Sequence, residues 1–270
     1  MSGYLALSYW DLVLASGFLI LNAVLSLWLQ LGLARQMLVA AVRMVVQLLA
    51  VGLVLKAVFA AGSALVTFSL AVVMILFAGR EIWARQERRM RGAWGPGLGA
   101  AAMTVAGTLV VLIALTQQIG ADPWWSPRYA LPLFGMILGN TMTGVSLGLD
   151  TLTASLWRDA AAVEARLLLG ATKWEAVRPF TRRAMRSGMT PIINSMAATG
   201  VISLPGMMTG QIFAGVDPTE AVKYQLLIMF LIGGATALGV VLAIVGGIWR
   251  LTDERHRLRL DRLAPPTGPA

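Results

Sequence analysis

Gly144-Val145-Ser146-Leu147-Gly148 has the G-x-S-x-G spacing that, on a sharp strand-to-helix turn, exposes a serine for nucleophilic attack. Such a serine needs a base to take its proton. The single histidine, His256, lies far downstream in a charged segment, and no acid or base is placed opposite Ser146. The spacing fits packing better, because Gly135, Gly139, Gly144 and Gly148 let helices approach closely. Met207 and Met208 are soft donors, better suited to copper(I) than to iron. Methionines beside a bent helix also serve simply to fill gaps. Cysteine is absent, so thiolate metal sites and cysteine nucleophiles are excluded.

The remaining polar groups in the apolar runs are mostly neutral. Asn140, Thr141 and Thr143 fall in one run, and Asn194, Thr199 and Ser203 in another, just before Pro205 and Gly206. Such groups are costly in hydrocarbon and face a bundle interior or a water-filled path. The Pro-Gly pair can kink a helix and free carbonyls to line a cavity. Asn140, Thr143, Asn194, Thr199, Ser203, Met207 and Met208 are therefore the candidate lining of a translocation pathway, with the helix break at Pro205 and Gly206.

These residues require membrane-spanning helices to hold them. Of 270 residues, 57% are hydrophobic and 13% charged, with a mean hydropathy of +0.73. A soluble domain carries about 25% charged residues. Seven runs approach the roughly 20 residues that a spanning helix needs, at about 10–33, 37–60, 63–80, 98–119, 129–150, 189–213 and 223–249. The first lacks a basic leader and a small-residue cleavage site, and reads as a retained helix. The intervals around 34–36, 80–97, 151–188 and 250–270 hold 18 of the 22 Lys and Arg. Their common side is cytoplasmic by the positive-inside rule, with the N-terminus outside and the C-terminus inside. The net charge of +9 is thus a topology signal, and nucleic acid is not an expected partner. Arg43, on one stripe with Gln36 and Gln47, reads as snorkelling to the cytoplasmic interface.

The longest polar interval contains EARLLLGATKWEAVRP, residues 164–179. Asp159 can cap a helix running to Leu169, with Gly170 just past its end. Thr172 and Glu175 have capping-box spacing for a second short helix that stops before Pro179. The pair would lie along the membrane surface, with Leu167, Leu168 and Ala171 on one apolar face. That face suits either a groove on a partner protein or lipid headgroups, favoured by Arg166, Lys173 and Arg178.

EARLLLG resembles the Glu-Ala-Ala-three-residues-Gly signature of ABC transporter permeases, with Arg166 in place of the second Ala. NTMTGVSLGLD (140–150), GATKWEAVRP (170–179), INSMAATGVISLPGMMTGQIFAG (193–215) and DPTEAVKYQLLIMFLI (217–232) narrow the likeness. Together they resemble the FetB-type permeases, the membrane half of an iron-export ABC transporter, with plant relatives linked to aluminium tolerance. The resemblance implies that 159–178 is a coupling segment seated in a cytoplasmic ABC ATPase. Glu164, Ala165, Leu167, Leu168, Gly170 and Ala171 would be its working residues. It further implies a permease homodimer in the bacterial inner membrane, with ATP and Mg bound by the partner and no cofactor in this chain. No G-x-x-x-x-G-K-[ST] phosphate loop occurs here, in keeping with a separate motor. The expectation is one all-α domain over 1–270 with a disordered tail at 264–270. Aluminium, copper or an organic molecule remain alternative cargoes. So does secondary transport, against which stand the scarcity of intramembrane carboxylates and the lack of a clear internal repeat.

Overall fold

The structure, a computed structural model, describes residues 8–265. It is an all-α bundle. α1 (Tyr9–Trp28), α2 (Ala34–Ala61), α3 (Ala64–Ala84), α4 (Trp94–Ile113), α5 (Pro127–Arg158) and α9 (Pro218–Leu251) are long and apolar enough to cross a membrane. α4 ends in a π-helical turn, Ala114–Gln118. Between α5 and α9 lie the short α6 (Ala160–Leu168), α7 (Lys173–Ala198) and the short α8 (Gly206–Phe213).

Helix ends follow local chemistry. Ser8 and Asp11 close a reciprocal cap on α1. Gly62, at φ 57°, takes the left-handed turn that ends α2. Pro218 opens α9 at its first position, where a missing N–H costs nothing, and Asp217 accepts the Thr219 amide at 2.8 Å.

α5, α7 and α9 form the centre, with α4 and α3 packed beside it. Glycines set the approach. A Cβ on Gly144 would lie 2.8 Å from the Gly188 carbonyl, and a Cβ on Gly188 would lie 2.8 Å from that of Gly144. Gly148 faces the Ala184 carbonyl, so residue numbers fall along α7 as they rise along α5: the two are antiparallel. Gly239 meets Thr141 and Gly247 meets Leu152, so α9 runs parallel to α5. α7 therefore makes the return pass that the sequence reading placed at 189–213. It is built differently from that expectation. The continuous helix begins at Lys173 and ends at Ala198, and residues 199–205 separate it from α8. Pro179 does not stop it, because the inner face of Ala176, Val177, Ala184 and Gly188 is buried and packing outweighs one lost hydrogen bond. The helix thus climbs into the bundle and does not lie along the membrane surface.

α1 and α2 are peripheral, and α2 is exposed along nearly its whole length, as suits a helix that faces lipid. Arg43 of α2 does not simply snorkel. It forms an ion pair with Glu81 of α3, which Arg85 also approaches at 3.7 Å.

Gly144→Ala is expected to destabilise the bundle by about 1–3 kcal/mol through overpacking. Gly139→Ala, which meets nothing within 4 Å, is expected to be close to neutral. Thermal unfolding of the detergent-purified variants measures both.

Candidate functional site

Most of the charge gathers at one end of the bundle, where α5, α7 and α9 present their basic termini. α6 is fastened there by Val163, which is 1% exposed. Leu167 and Ala171 are partly buried against the same core. Leu168 and Leu169 are each 88% exposed. The single apolar face expected of Leu167, Leu168 and Ala171 is therefore split: two grip the bundle, and Leu168 projects with Leu169. Leu169 was read only as a helix end, because nothing in the sequence distinguishes the buried leucine from its neighbours. Glu164, Ala165 and Arg166 lie exposed on the preceding turn.

The turn after this knob is closely specified. Gly170 has φ 90°, a conformation that a side chain strains. The Gly170 amide donates to Leu167 O at 3.0 Å and the Ala171 amide to Arg166 O at 3.1 Å. Thr172 and Glu175 then form the expected capping box, with the Thr172 amide 2.8 Å from Glu175 Oε2. Bonds from the Thr172 backbone and hydroxyl hold the Glu175 carboxyl below its usual range. Asp159 stands at the start of α6 as expected, but its side chain makes no capping bond and lies 3.9 Å from Arg158.

The segment after α9 is a strap. Thr252 bridges to Leu258, and the Arg259 amide donates back to Leu251 O at 2.8 Å. Leu263, 2% exposed, pairs antiparallel with Met90 in the α3–α4 loop. The flanking bonds are Arg91 N–H to Arg262 O at 2.8 Å and Ala264 N–H to Arg89 O at 2.7 Å. Ala264 is thus held, contrary to a disordered tail from 264; residues 266–270 lie outside those described. His256 Nδ1 accepts the Lys173 amide at 3.0 Å and so fastens the strap to the first residue of α7. A hydrogen bond from Arg259 holds Asp261 down at about 2. Between strap and α7 is a cavity of about 610 Å³, lined by Lys173, Trp249, Asp253, Glu254, Arg255 and Arg262 among others. The strap was legible in principle, since Leu258, Leu260 and Leu263 punctuate arginines in near-alternation, but the charge masked it. The loop arginines are also engaged: Arg88 stacks over Trp157 at 4.1 Å and Arg89 over Trp83 at 4.3 Å.

The candidate pathway residues lie toward the other end. Asn140 and Asn194 are exposed, and Thr143 and Thr199 are half-buried. The Asn140 amide donates to Met136 O at 2.8 Å, Thr143 to Gly139 O at 3.1 Å and Thr199 to Ser195 O at 2.7 Å. Ser203 lies in the break, where Thr199 bridges to Ser203 and Pro205 caps α8, with Gly206 its first residue. Met207 is 38% exposed, and Met208 is half-buried. Thr141 turns inward and is fully buried. Ser146 is 4% exposed within the α5 core, between two packing glycines, which suits no nucleophile elbow. Among the described residues no group of three or more His, Cys, Asp or Glu could hold a metal ion.

The comparisons agree on a single family. The family description "Uncharacterised protein family (UPF0014)" matches residues 9–251. The UPF0014 membrane protein slr1647 of Synechocystis is 35% identical, over 85% of this chain and 88% of its own. The "Probable iron export permease protein FetB" of Escherichia coli is 32% identical, over 87% and 88%. The "Protein ALUMINUM SENSITIVE 3" of Arabidopsis thaliana is 31% identical, over 80% and 78%. No solved structure matches.

His256→Ala removes one hydrogen bond worth about 1 kcal/mol. It is expected to raise the population with the strap released about five-fold, read as faster tryptic cleavage between Arg255 and Arg262. Leu263→Ala, which empties a buried site, should accelerate that cleavage further.

Proposed function

The chain belongs to the UPF0014 family of membrane proteins, and we propose that it is the permease subunit of an ABC transporter. A separate cytoplasmic ATPase would bind ATP and Mg and supply the work. The observation that carries this reading is the knob of Leu168 and Leu169 on a rigidly capped turn. Two adjacent leucines presented to water at 88% exposure are unstable unless covered, and a groove in a partner covers them. A headgroup-bound helix would instead lay its whole apolar face on lipid, whereas here half of that face is committed to the core.

Such motors act in pairs, so two permease chains would assemble about a two-fold axis. The basic end would face the cytoplasm, with the N-terminus outside, in the inner membrane of a bacterium. Nucleotide-driven movement of the knob would pass through Gly170 into α7, which packs against α5 along Gly188–Gly144. Rocking of α7 against α5 would expose Asn140, Thr143 and Asn194 alternately to the two sides. Glu164 and Ala165 would lie against the ATPase beside the leucines. Iron is the first cargo to test, on the printed name of the Escherichia coli relative, and export is the first direction.

Inside-out vesicles containing the chain and its neighbouring ATPase are expected to accumulate radiolabelled iron only with ATP. Leu168→Glu and Gly170→Pro are each expected to remove at least nine-tenths of that uptake, with membrane insertion unchanged. Full activity in either inserted variant would overturn the coupling assignment. ATP hydrolysis without iron uptake would overturn only the cargo.

A further inference from the structure

The outer face of α7 carries a feature that the coupling reading does not use. Arg178, Arg182, Arg186, Thr190 and Asn194 follow at steps of four, the spacing that stacks side chains along one side of a helix. Each is exposed, and Arg183 stands beside them, also exposed. Among the described residues no acidic side chain lies within ion-pair distance of any of the four arginines. Several arginines elsewhere at this end are engaged: Arg88 and Arg89 stack on tryptophans, and Arg259 is paired with Asp261.

The face also has depth. Gly188 sits against Gly144, which places Arg186 near the level of the central crossing and carries Thr190 and Asn194 toward that of Asn140. A site for lipid headgroups would stop at the interface. This one runs on through neutral hydrogen-bonding groups at spanning depth, where polar side chains face water or a partner rather than acyl chains.

We infer that the α7 face of Arg182, Arg183, Arg186, Thr190 and Asn194 receives a soluble anion bearing carboxylate or phosphate groups. Guanidinium forks match both groups bidentately. A bare divalent cation would be repelled by Arg182, Arg183 and Arg186 and would find, among the described residues, no cluster of acids to hold it. Metal cargo would therefore reach this chain as a chelate of net negative charge. The inference rests on the transport reading for its biological sense, but binding itself requires neither ATP nor the ATPase.

The test uses the full-length chain in nanodiscs of phosphatidylcholine alone, where no anionic lipid competes. Radiolabelled ferric citrate, radiolabelled inorganic phosphate and ferrous ion without chelator are the probes. Ferric citrate or phosphate is expected to be retained, to weaken with added salt and to be lost at least tenfold in Arg182→Ala/Arg186→Ala. Arg182→Lys/Arg186→Lys should restore part of the retention, as charge without the fork would. Both variants should keep the parent's thermal midpoint, since these side chains are exposed. Retention of neither anion would overturn the inference, as would equal retention by the alanine pair or preferential retention of bare ferrous ion. So would arginine-dependent capture of phosphatidylglycerol in mixed discs without capture of citrate or phosphate, which would make the face a headgroup site. Transport that proves independent of ATP would overturn the coupling reading and leave this one standing.

Discussion

The bundle depends on backbone contact at one crossing. α5 and α7 meet through Gly144 and Gly188, each lying where a Cβ of the other would collide with a carbonyl oxygen. Inside a bilayer, burying apolar area offers little net gain, because lipid is as apolar as leucine. Close approach and van der Waals contact do the work instead. Val240 of α9 fills the remaining side of the crossing, against both glycines. α7 could not otherwise hold its position, since it carries four arginines among its first fourteen residues and two prolines in its length. Its place in the membrane is owed to its neighbours rather than to its own hydropathy.

That dependence explains which features could be read in the sequence. Six of the spans announce themselves by composition, because each is long and apolar in its own right. The capping box at Thr172 and Glu175 and the turn at Gly170 were equally legible, being local in cause. The course of α7 was not. A Pro at 179 and a run of arginines signal a surface helix, and only burial of Ala176, Val177, Ala184 and Gly188 against α5 reverses that signal. The division of Leu167 from Leu168 likewise depends on where the bundle stands, which no periodicity over nine residues specifies. Glu81 escaped notice as a membrane acid because it lay just past the expected end of its span, and its partner Arg43 was on another helix.

The basic end of the protein is stiffer than its composition suggests. Chains rich in arginine and poor in apolar residues are ordinarily solvated and loose. Here the α3–α4 loop and the C-terminal segment are pinned by something uncharged: tryptophan faces for Arg88 and Arg89, and a buried leucine for the segment around Arg262. A knob that transmitted force, as proposed, would need such a footing. The turn behind Leu168 and Leu169 is capped, and the helix that follows is held from the side by His256.

The strap has a further consequence for how the molecule is made. It joins residues 89–91 to residues 262–264, so its bridge spans most of the order of synthesis. The α3–α4 loop emerges early and must wait, with Met90 uncovered, until nearly every later helix has entered the membrane. Closure of the basic end is thus the last act of assembly. A chain halted after α7 would display its leucine knob on a helix that the strap does not yet brace.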